Sequence, residues 1–401
     1  MTSIIVPYNY STITAAINAA SNGDNIEIIS GDYYVETLRS NNKFVSLKAT
    51  DGLVSLKNDE KLNINEAISF NNLSGTVEPY TFPGNTYRLD KRFNFTKGIA
   101  VSHTGQYQIL LFDYNDNDID YVYVSNDYGQ TLTRVRISTS NANNDGWWAC
   151  SISTDGKYMV ASKIKGGQGI AGHYYSNDFG VTFSLVKGKG STDGKLYPIV
   201  LDDGQLYISD GTGIYKTNNP LDPNPTWTTI RTFGWLETPI AVNQSGSDKG
   251  KYILFTENFG DSYIFLSTDF GATFTNIFTN IGNTEHGLKM SRDGKNMIVG
   301  GSNIQISTNY GASWKIAKNK ENGNDVFTAI FLVDTSLDGQ YMVALGSQFI
   351  WYSDDYGTNW TNSGYSVRNL DGGLALSGDK SFIAFGGYTA NIDGYTVKKK
   401  A

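Results

Sequence analysis

The sequence predicts an all-β fold in which a unit of four short strands is repeated along most of the chain. A turn motif, Ser-x-Asp-aromatic-Gly-x-Thr-aromatic, recurs five times between residues 125 and 360, at intervals of 40 to 51 residues apart from one gap of 91. The 401 residues include 43 Gly, 26 Tyr and only 8 Pro, a composition typical of sheets joined by tight turns. Repetition at this spacing indicates stacked supersecondary units that share one core.

Each copy of the motif, which we call a clasp, is expected to close a β-hairpin. The Asp side chain accepts backbone N–H groups of its own turn, the Gly takes a positive φ, and the last aromatic residue anchors the next strand in the core. The paired Asp (or Asn) and Gly positions are Asp127 and Gly129, Asp178 and Gly180, Asp269 and Gly271, Asn309 and Gly311, and Asp355 and Gly357. A degenerate sixth clasp at 217–227 fits the long gap.

Turn signals allow the units to be counted. In the clearest unit, four strand-like runs occupy 287–291, 296–300, 304–307 and 314–317, and an Asp-Gly hairpin turn follows the first run. Complete units begin near Gly98, Trp147, Tyr197, Pro239, Gly287 and Phe327, and a seventh, from Leu374, lacks one strand. Because an unpaired sheet edge promotes aggregation, residues 81–96 are predicted to supply the missing strand.

The clasps resemble the Asp-boxes, or BNR repeats, of sialidases and of many non-enzymatic β-propellers, over about residues 97–397. The resemblance implies a β-propeller at 81–401, with seven blades from the strand count and six as the alternative. It does not imply one function. Sialidases bind the substrate carboxylate with three arginines, one of them in an Arg-Ile-Pro motif, whereas this chain has eight Arg and no such motif. Sialidase activity is therefore not expected.

Residues 1–80 are predicted to form a separate unit. Residues 10–20 have the apolar spacing and the Ser/Thr start of a helix, and short apolar strand-like runs follow it. Helix, Gly-Asp, strand and Gly-x-Tyr in this order resemble the capping helix and first coils of a pectate-lyase-like parallel β-helix. About 60 residues are too few for the substrate groove of that family, so the unit is expected to serve docking, capping or self-assembly.

The ligand site is expected on the free rim, by which we mean the edge of the propeller opposite the clasps and the Asp-Gly turns. Loops that enter the inner strands bring acids and aromatic rings to this rim, and sugar-binding sites combine these groups. The candidate ligand-binding residues are Asp145, Trp147, Trp148, Trp235, His286 and Asp371. The alternative for one of the adjacent pair Trp147 and Trp148 is a place in the core.

Two further chemistries remain open. A glycoside hydrolase would use two free-rim carboxylates, for which Glu237, Glu285 and Asp325 are candidates, although no feature of the sequence selects a pair. The alternating Asp116, Asp118 and Asp120 offer oxygens that suit Ca²⁺, but their loop lacks the central Gly and distal Glu of an EF-hand. No other cofactor is expected.

The charge argues against one class of partner, and the cysteine count excludes one kind of covalent bond. A formal net charge of −7 without a basic cluster argues against a nucleic-acid groove, and a single cysteine, Cys150, excludes an intrachain disulfide. No secretory signal or transmembrane segment is recognised, so insertion into a membrane is not expected and the expected location is the cytoplasm or a virus particle.

The sequence favours a non-enzymatic propeller that binds a glycan or a protein partner, for example a virus-encoded surface or assembly protein. The alternatives are a glycoside hydrolase and an intracellular complex-assembly factor.

Overall fold

The structure is a computed structural model. It describes residues 3–6, 10–21, 24–28, 31–34, 45–49, 54–57, 68–71, 86–88, 96–112, 121–129, 131–137, 146–164, 172–186, 196–232, 239–259, 261–279, 287–326, 330–346, 349–366, 373–379, 382–385 and 396–399. The chain divides into two compact units, one of residues 1–90 with 395–401 and one of residues 91–394. No helix in the described ranges is long and apolar enough to cross a membrane.

The first unit combines a short helix with parallel strands. Helix α1 spans Ile13–Ala19, and the Thr12 hydroxyl caps it by accepting a hydrogen bond from the Ala15 backbone N–H at 3.1 Å, as the Ser/Thr start predicted. The strands of this unit are β1 (Ser3–Val6), β2 (Asp24–Ile28), β3 (Gly31–Tyr34), β4 (Val45–Ala49), β5 (Val54–Lys57), β6 (Ile68–Asn71) and β7 (Thr86–Arg88). Strands β1, β2, β4 and β6 pair in that order and β3 pairs with β5, all in parallel. A relationship to pectate-lyase-like proteins stays a prediction.

Residues 91–394 form successive antiparallel sheets, which confirms the all-β class. The first sheet consists of β8 (Thr96–Val101), β9 (Gln108–Phe112), β10 (Tyr121–Ser125) and β11 (Thr133–Arg136). The second consists of β12 (Gly146–Ile152), β13 (Met159–Ile164), β14 (Gly172–Ser176) and β15 (Ser184–Val186). The third consists of β16 (Tyr197–Val200), β17 (Leu206–Ser209), β18 (Gly213–Thr217) and β19 (Thr228–Thr232). In each sheet the strands pair in chain order.

The later sheets repeat this order with two variations. The fourth sheet consists of β20 (Ile240–Val242), β21 (Ile253–Phe259), β22 (Asp261–Ser267) and β23 (Thr275–Thr279), and the fifth of β24 (Leu288–Met290), β25 (Met297–Val299), β26 (Gln305–Ser307) and β27 (Lys315–Ile316). The sixth consists of β29 (Ile330–Thr335), β30 (Met342–Gly346), β31 (Phe349–Ser353) and β32 (Asn359–Ser366), with the short β28 (Lys318–Asn319) at its edge. The seventh contains β33 (Leu374–Leu376) and β34 (Phe382–Phe385). Strand β28 adds to β32 in parallel.

The first strand of each sheet lies innermost. In sequence order, β8, β12, β16, β20, β24, β29 and β33 each contact the next, and β33 also contacts β8. Backbone hydrogen bonds join neighbouring sheets near the ends of these strands: His103 N–H donates to Thr154 O at 2.8 Å, and Asp379 N–H donates to His103 O at 2.8 Å. The last sheet of the series is therefore the neighbour of the first.

The core fills the spaces between adjacent sheets. One cluster joins Ile109 and Leu111 of the first sheet to Met159 of the second, and another joins Ile298 and Ile306 of the fifth sheet to Met342 and others of the sixth. The main driving force is burial of these apolar side chains, at about 25 cal/mol per Å².

The clasps contain the hydrogen bonds that the sequence predicted. In the third clasp, Asp269 Oδ1 accepts the Thr273 backbone N–H at 2.9 Å, and Asp269 Oδ2 accepts the Thr273 hydroxyl at 2.5 Å. Gly271 has φ +85° and donates its N–H to Ser267 Oγ at 2.9 Å. The other clasps repeat this pattern with small differences, for example an Asn309 side chain in place of an Asp.

One feature of the clasps was not predicted. The aromatic residue before each Gly also has a positive φ, between 59° and 66°. Its N–H donates to the turn between the first two strands of the same sheet, an Asp-Gly turn in three of the five, as Tyr310 does to Lys295 O at 2.9 Å. Clasps and Asp-Gly turns therefore lie on the same rim, as predicted, and the starts of the inner strands mark the free rim.

The predicted closing segment contains a short paired strand. Strand β7 pairs antiparallel with β35 (Thr396–Lys399), with Tyr87 opposite Val397. Closure of the last sheet by residues 81–96 stays a prediction.

Candidate binding site

The inner strands of residues 91–394 surround a narrow channel. At the free rim it opens into a cavity of about 100 Å³, and a second cavity of about 100 Å³ lies towards the clasp rim. Each has room for a few water molecules or one small side chain. The channel therefore cannot enclose a large ligand, and recognition at the free rim depends on the groups around its opening.

Three side chains from the first three sheets define what we call the channel mouth: Lys97, Trp148 and Tyr197. Lys97 Nζ lies 5.6 Å from the centroid of the Trp148 ring, within the range of a cation–π contact. Trp148 meets Tyr197 edge to face, with 6.3 Å between ring centroids. Apolar residues complete the opening, namely Pro198, Pro239, Leu288, Leu332 and Leu374. The mouth thus combines a cation, an aromatic pair and an apolar wall.

Two described carboxylates, Asp334 in the channel and Asp202 next to channel-lining Thr154 and Arg292, are held in place by cations and backbone groups. Asp334 accepts the Leu376 N–H at 2.7 Å and lies 3.6 Å from Lys289 Nζ. Asp202 accepts the Thr154 N–H at 2.8 Å and forms an ion pair with Arg292. Because each carboxylate already has both partners, this arrangement suits a structural role better than proton transfer.

Cys150 also lines the channel. Its thiol lies 3.9 Å from Ile109 O. Burial raises the pKa of the Cys150 thiol to about 12, opposed by the charge of Lys289. The thiol therefore stays protonated and is not a nucleophile near neutral pH.

The adjacent Trp147 and Trp148, both predicted as ligand-binding residues, have different surroundings. Trp147 is 1% exposed and packs edge to face on Tyr174 at 5.8 Å, so it occupies the core position that the sequence allowed for one of the pair. Trp148 is half-buried at the channel mouth. The register of β12 against β13 shifts between Trp147 and Ala149, so Trp148 lies at a local irregularity of the strand, where its ring contacts Lys97 and Tyr197 and not the core around Tyr174.

Most other predicted site residues lie outside the described ranges. These are Asp145, Trp235, His286 and Asp371 of the ligand set, Glu237 and Glu285 of the hydrolase set, and Asp116, Asp118 and Asp120 of the Ca²⁺ loop. Asp325 is described and forms an ion pair with Lys318. Within the described part of the chain, no group of three or more His, Cys, Asp or Glu side chains could hold a metal ion.

The carboxyl pKa shifts resolved among described residues belong to clasps. Hydrogen bonds from the Thr273 side chain and backbone lower the pKa of Asp269. For Asp178 and Asp355, burial raises the pKa, but hydrogen bonds from Thr182 and Asn359 outweigh it and the net shift is downward. These shifts stabilise the charged turn, whereas a general acid needs a raised pKa.

Lys97 and Tyr197 were not predicted as site residues. Tyr197 was identified only as the start of a unit, and Lys97 precedes another such start, Gly98. The repeat itself could have identified them, because the first residues of all inner strands converge on one opening. Lys97, Trp148 and Tyr197 all lie within two residues of the start of a unit.

Comparisons with known proteins support the fold. No family model and no curated protein matches the sequence. A solved structure described as YCF48 bound to D1 peptide matches with a TM-score of 0.53 at 14% identity, over 80% of this chain and 98% of its own. Kuenenia stuttgartiensis hydrazine synthase matches with a TM-score of 0.53 at 12% identity, over 78% of this chain and 97% of its own. At these identities the similarity shows the fold alone, which is a β-propeller.

Proposed function

We propose that this protein is a non-enzymatic β-propeller that binds a protein segment at the channel mouth. The observation that carries the proposal is the grouping of Lys97, Trp148 and Tyr197 beside an apolar wall at the free-rim opening. Trp148 is half-buried and Tyr197 packs against it from below the surface, at 6% exposure, and aromatic residues and cations of this kind are enriched at binding hot spots.

The size of the opening favours a protein segment over a glycan at this place. A cavity of about 100 Å³ accepts one inserted side chain, while the rings and the Lys97 ammonium contact the residues on either side of it. A sugar ring needs a broader platform and more hydrogen-bonding groups than the apolar wall provides. The solved relative described as bound to a peptide has the same fold, which is consistent with a peptide ligand.

The proposal also includes the number of blades, the Asp-box family and the role of the N-terminal unit. The contacts of seven inner strands in sequence order support seven blades, and the clasp geometry supports membership of the Asp-box propellers. Residues 1–80 would attach the propeller to an assembly. A virus-particle protein and an intracellular assembly factor both need a protein partner, so the partner's identity would distinguish them.

A hydrolase is the weaker alternative. Its mechanism needs two carboxyl groups facing one open cleft. Asp334 in the channel and Asp202 beside it are each bound to a cation and to a backbone N–H. Release of sugar from oligosaccharides by the purified protein would favour the hydrolase over a binding propeller.

Selection from a random peptide library displayed on phage tests the proposal. The full chain is the target, and dissociation constants of the enriched peptides are measured by fluorescence anisotropy. Trp148→Ala and Lys97→Glu should each weaken binding about tenfold or more, as expected for hot-spot residues. Phe270→Ala is the matched control, because Phe270 is a 47% exposed aromatic residue on the clasp rim. Its affinity should stay within about twofold of the original.

Two results would contradict the proposal. One is that no peptide is enriched over an unrelated protein target. The other is that enriched peptides bind the two mouth variants as tightly as they bind the original protein.

A further inference from the structure

A cavity of ligand size lies away from the channel. It has a volume of about 550 Å³, within the usual range for small-molecule sites, and it lies between the segment 318–326 and Trp351 on β31. We call it the Asn groove, because Asn319, Asn322 and Asn324 line it. None of its lining residues lines the channel mouth.

The segment that forms one wall is held in a defined conformation. Asn319 N–H donates to Asn324 O at 2.7 Å, and Gly323 N–H donates to Asn319 O at 2.8 Å, so the segment folds into a closed turn. Lys320 N–H donates to Trp360 O at 2.8 Å, which fixes the turn to β32. The wall is therefore formed before any ligand arrives, which reduces the entropic cost of binding.

The opposite wall is an anchored indole. Trp351 is half-buried and packs on the cluster that contains Ile298 and Met342, while the rest of the side chain lines the groove. A Trp ring held by the core is a rigid platform, and little side-chain entropy is lost when a ligand stacks on it.

The polar groups of the groove suit a neutral ligand. Lys318 and Asp325 form an ion pair, so their charges cancel. Asn322 uses its Oδ1 to accept the Asn324 N–H at 3.0 Å, which leaves its amide NH₂ as a donor, and the exposed Asn324 side chain has no hydrogen bond to any described residue. An amide donates and accepts at once, as a sugar hydroxyl does.

We infer that the Asn groove is a binding site for a neutral carbohydrate unit, which stacks a C–H face on Trp351 and hydrogen-bonds to Asn322 and Asn324. The site goes beyond the protein-binding role proposed for the channel mouth and does not depend on it. Gly323 lies at the centre of the turn with φ +70°, and a Cβ there would meet no atom within 4 Å, so the groove is open at this point. A larger side chain at residue 323 would project into the space that the sugar occupies.

The test uses the full chain on an array of neutral oligosaccharides built from glucose, galactose, mannose and N-acetylglucosamine. The best sugar is then titrated by calorimetry against variants. The double variant Asn322→Ala/Asn324→Ala changes only exposed side chains and should weaken binding at least tenfold. Gly323→Asn should block the groove, since Asn accepts a positive φ better than most residues. Trp351→Leu should abolish stacking while keeping an apolar side chain in the core.

Two controls locate the effect. Asn224→Ala removes an exposed Asn from a turn of the third sheet and should leave sugar binding unchanged, as should Trp148→Ala at the channel mouth. Thermal unfolding shows that each variant is folded. The inference is overturned if no neutral sugar binds, if the double variant and Gly323→Asn both bind as the original does, or if Trp148→Ala alone removes binding. The last result would assign the sugar to the channel mouth instead.

Discussion

At the scale of single residues, the clasp glycine meets two separate requirements. Gly271 has φ +85°, and a Cβ added to it would lie 2.4 Å from Ile230 Cγ2 of the preceding sheet. Gly323 also has a positive φ, of +70°, but an added Cβ would meet nothing within 4 Å. A comparison of Gly271 with Gly323 therefore distinguishes the cost of backbone strain from the cost of a clash between neighbouring sheets.

We predict that Gly271→Ala destabilises the protein much more than Gly323→Ala does. The left-handed backbone should cost about 1 kcal/mol in both, and the clash with Ile230 should raise the total for Gly271→Ala to about 3 kcal/mol. Urea unfolding measures the two values. Equal losses would mean that the sheets move apart at no cost, contrary to the packing described above.

A buried histidine makes stability depend on pH. His173 is 1% exposed, and its Nδ1 lies 2.7 Å from Ser162 Oγ. Burial lowers the pKa of His173 to about 3, so the folded protein holds the neutral imidazole while the unfolded chain takes up a proton below about pH 6.5. The contribution of His173 to stability is therefore complete above that pH and is lost as the pH falls towards 3.

The free energy of unfolding should fall by about 2 kcal/mol between pH 7 and pH 5 from this residue alone. His173→Gln keeps a polar side chain but cannot titrate, so its unfolding free energy should change less over the same interval. Urea unfolding at both pH values gives the comparison. If both proteins show the same pH dependence, His173 takes up a proton in the folded state as readily as in the unfolded chain, contrary to the burial described above.

At the scale of elements, the Trp that ends each of the last two clasps joins the turn to the core. Trp360 is fully buried, and Trp314 at the equivalent position is half-buried. Each donates its Nε1–H to the clasp Gly carbonyl at 3.1 Å, Trp360 to Gly357 O and Trp314 to Gly311 O. The two therefore share a hydrogen bond and differ in burial.

Replacing each Trp by Ala measures the value of that burial. Trp360→Ala should cost about 4 kcal/mol, because it leaves a cavity among buried residues, and Trp314→Ala about 2 kcal/mol. Denaturant unfolding of the two variants supplies the numbers. Equal losses would show that the shared hydrogen bond, and not burial, dominates, and a larger loss for Trp314→Ala would contradict the account.

The elements also show what the sequence could predict. The clasp hydrogen bonds were predictable because Ser267, Asp269, Gly271 and Thr273 lie within one turn, where local chemistry decides the conformation. The positive φ of the neighbouring aromatic residue was not, since bulky residues rarely take it and only the bond to the Asp-Gly turn compensates for it. The sequence could assign one of Trp147 and Trp148 to the core but not say which, because the strand irregularity at Trp148 shows only in the pairing of β12 with β13.

At the scale of the whole molecule, the candidate site depends on contacts between sheets. Lys97, Trp148 and Tyr197 are about 50 residues apart in the sequence and meet only because the starts of inner strands converge. Local motifs therefore point to the acidic and aromatic loops and carry no signal for Lys97 and Tyr197. The Asn groove could not be predicted from local motifs for the same reason, since Trp351 and the segment 318–326 belong to different hairpins.

Hydrogen exchange followed by mass spectrometry, with and without a selected peptide, tests the central claim most directly, because it locates the bound partner on the protein. The account predicts slower exchange at the starts of the inner strands, in peptides that contain Lys97, Trp148 and Tyr197, and unchanged exchange in the clasps around Phe270 and Tyr310. Protection confined to the clasp rim, or no protection at saturating peptide, would contradict a binding site at the channel mouth.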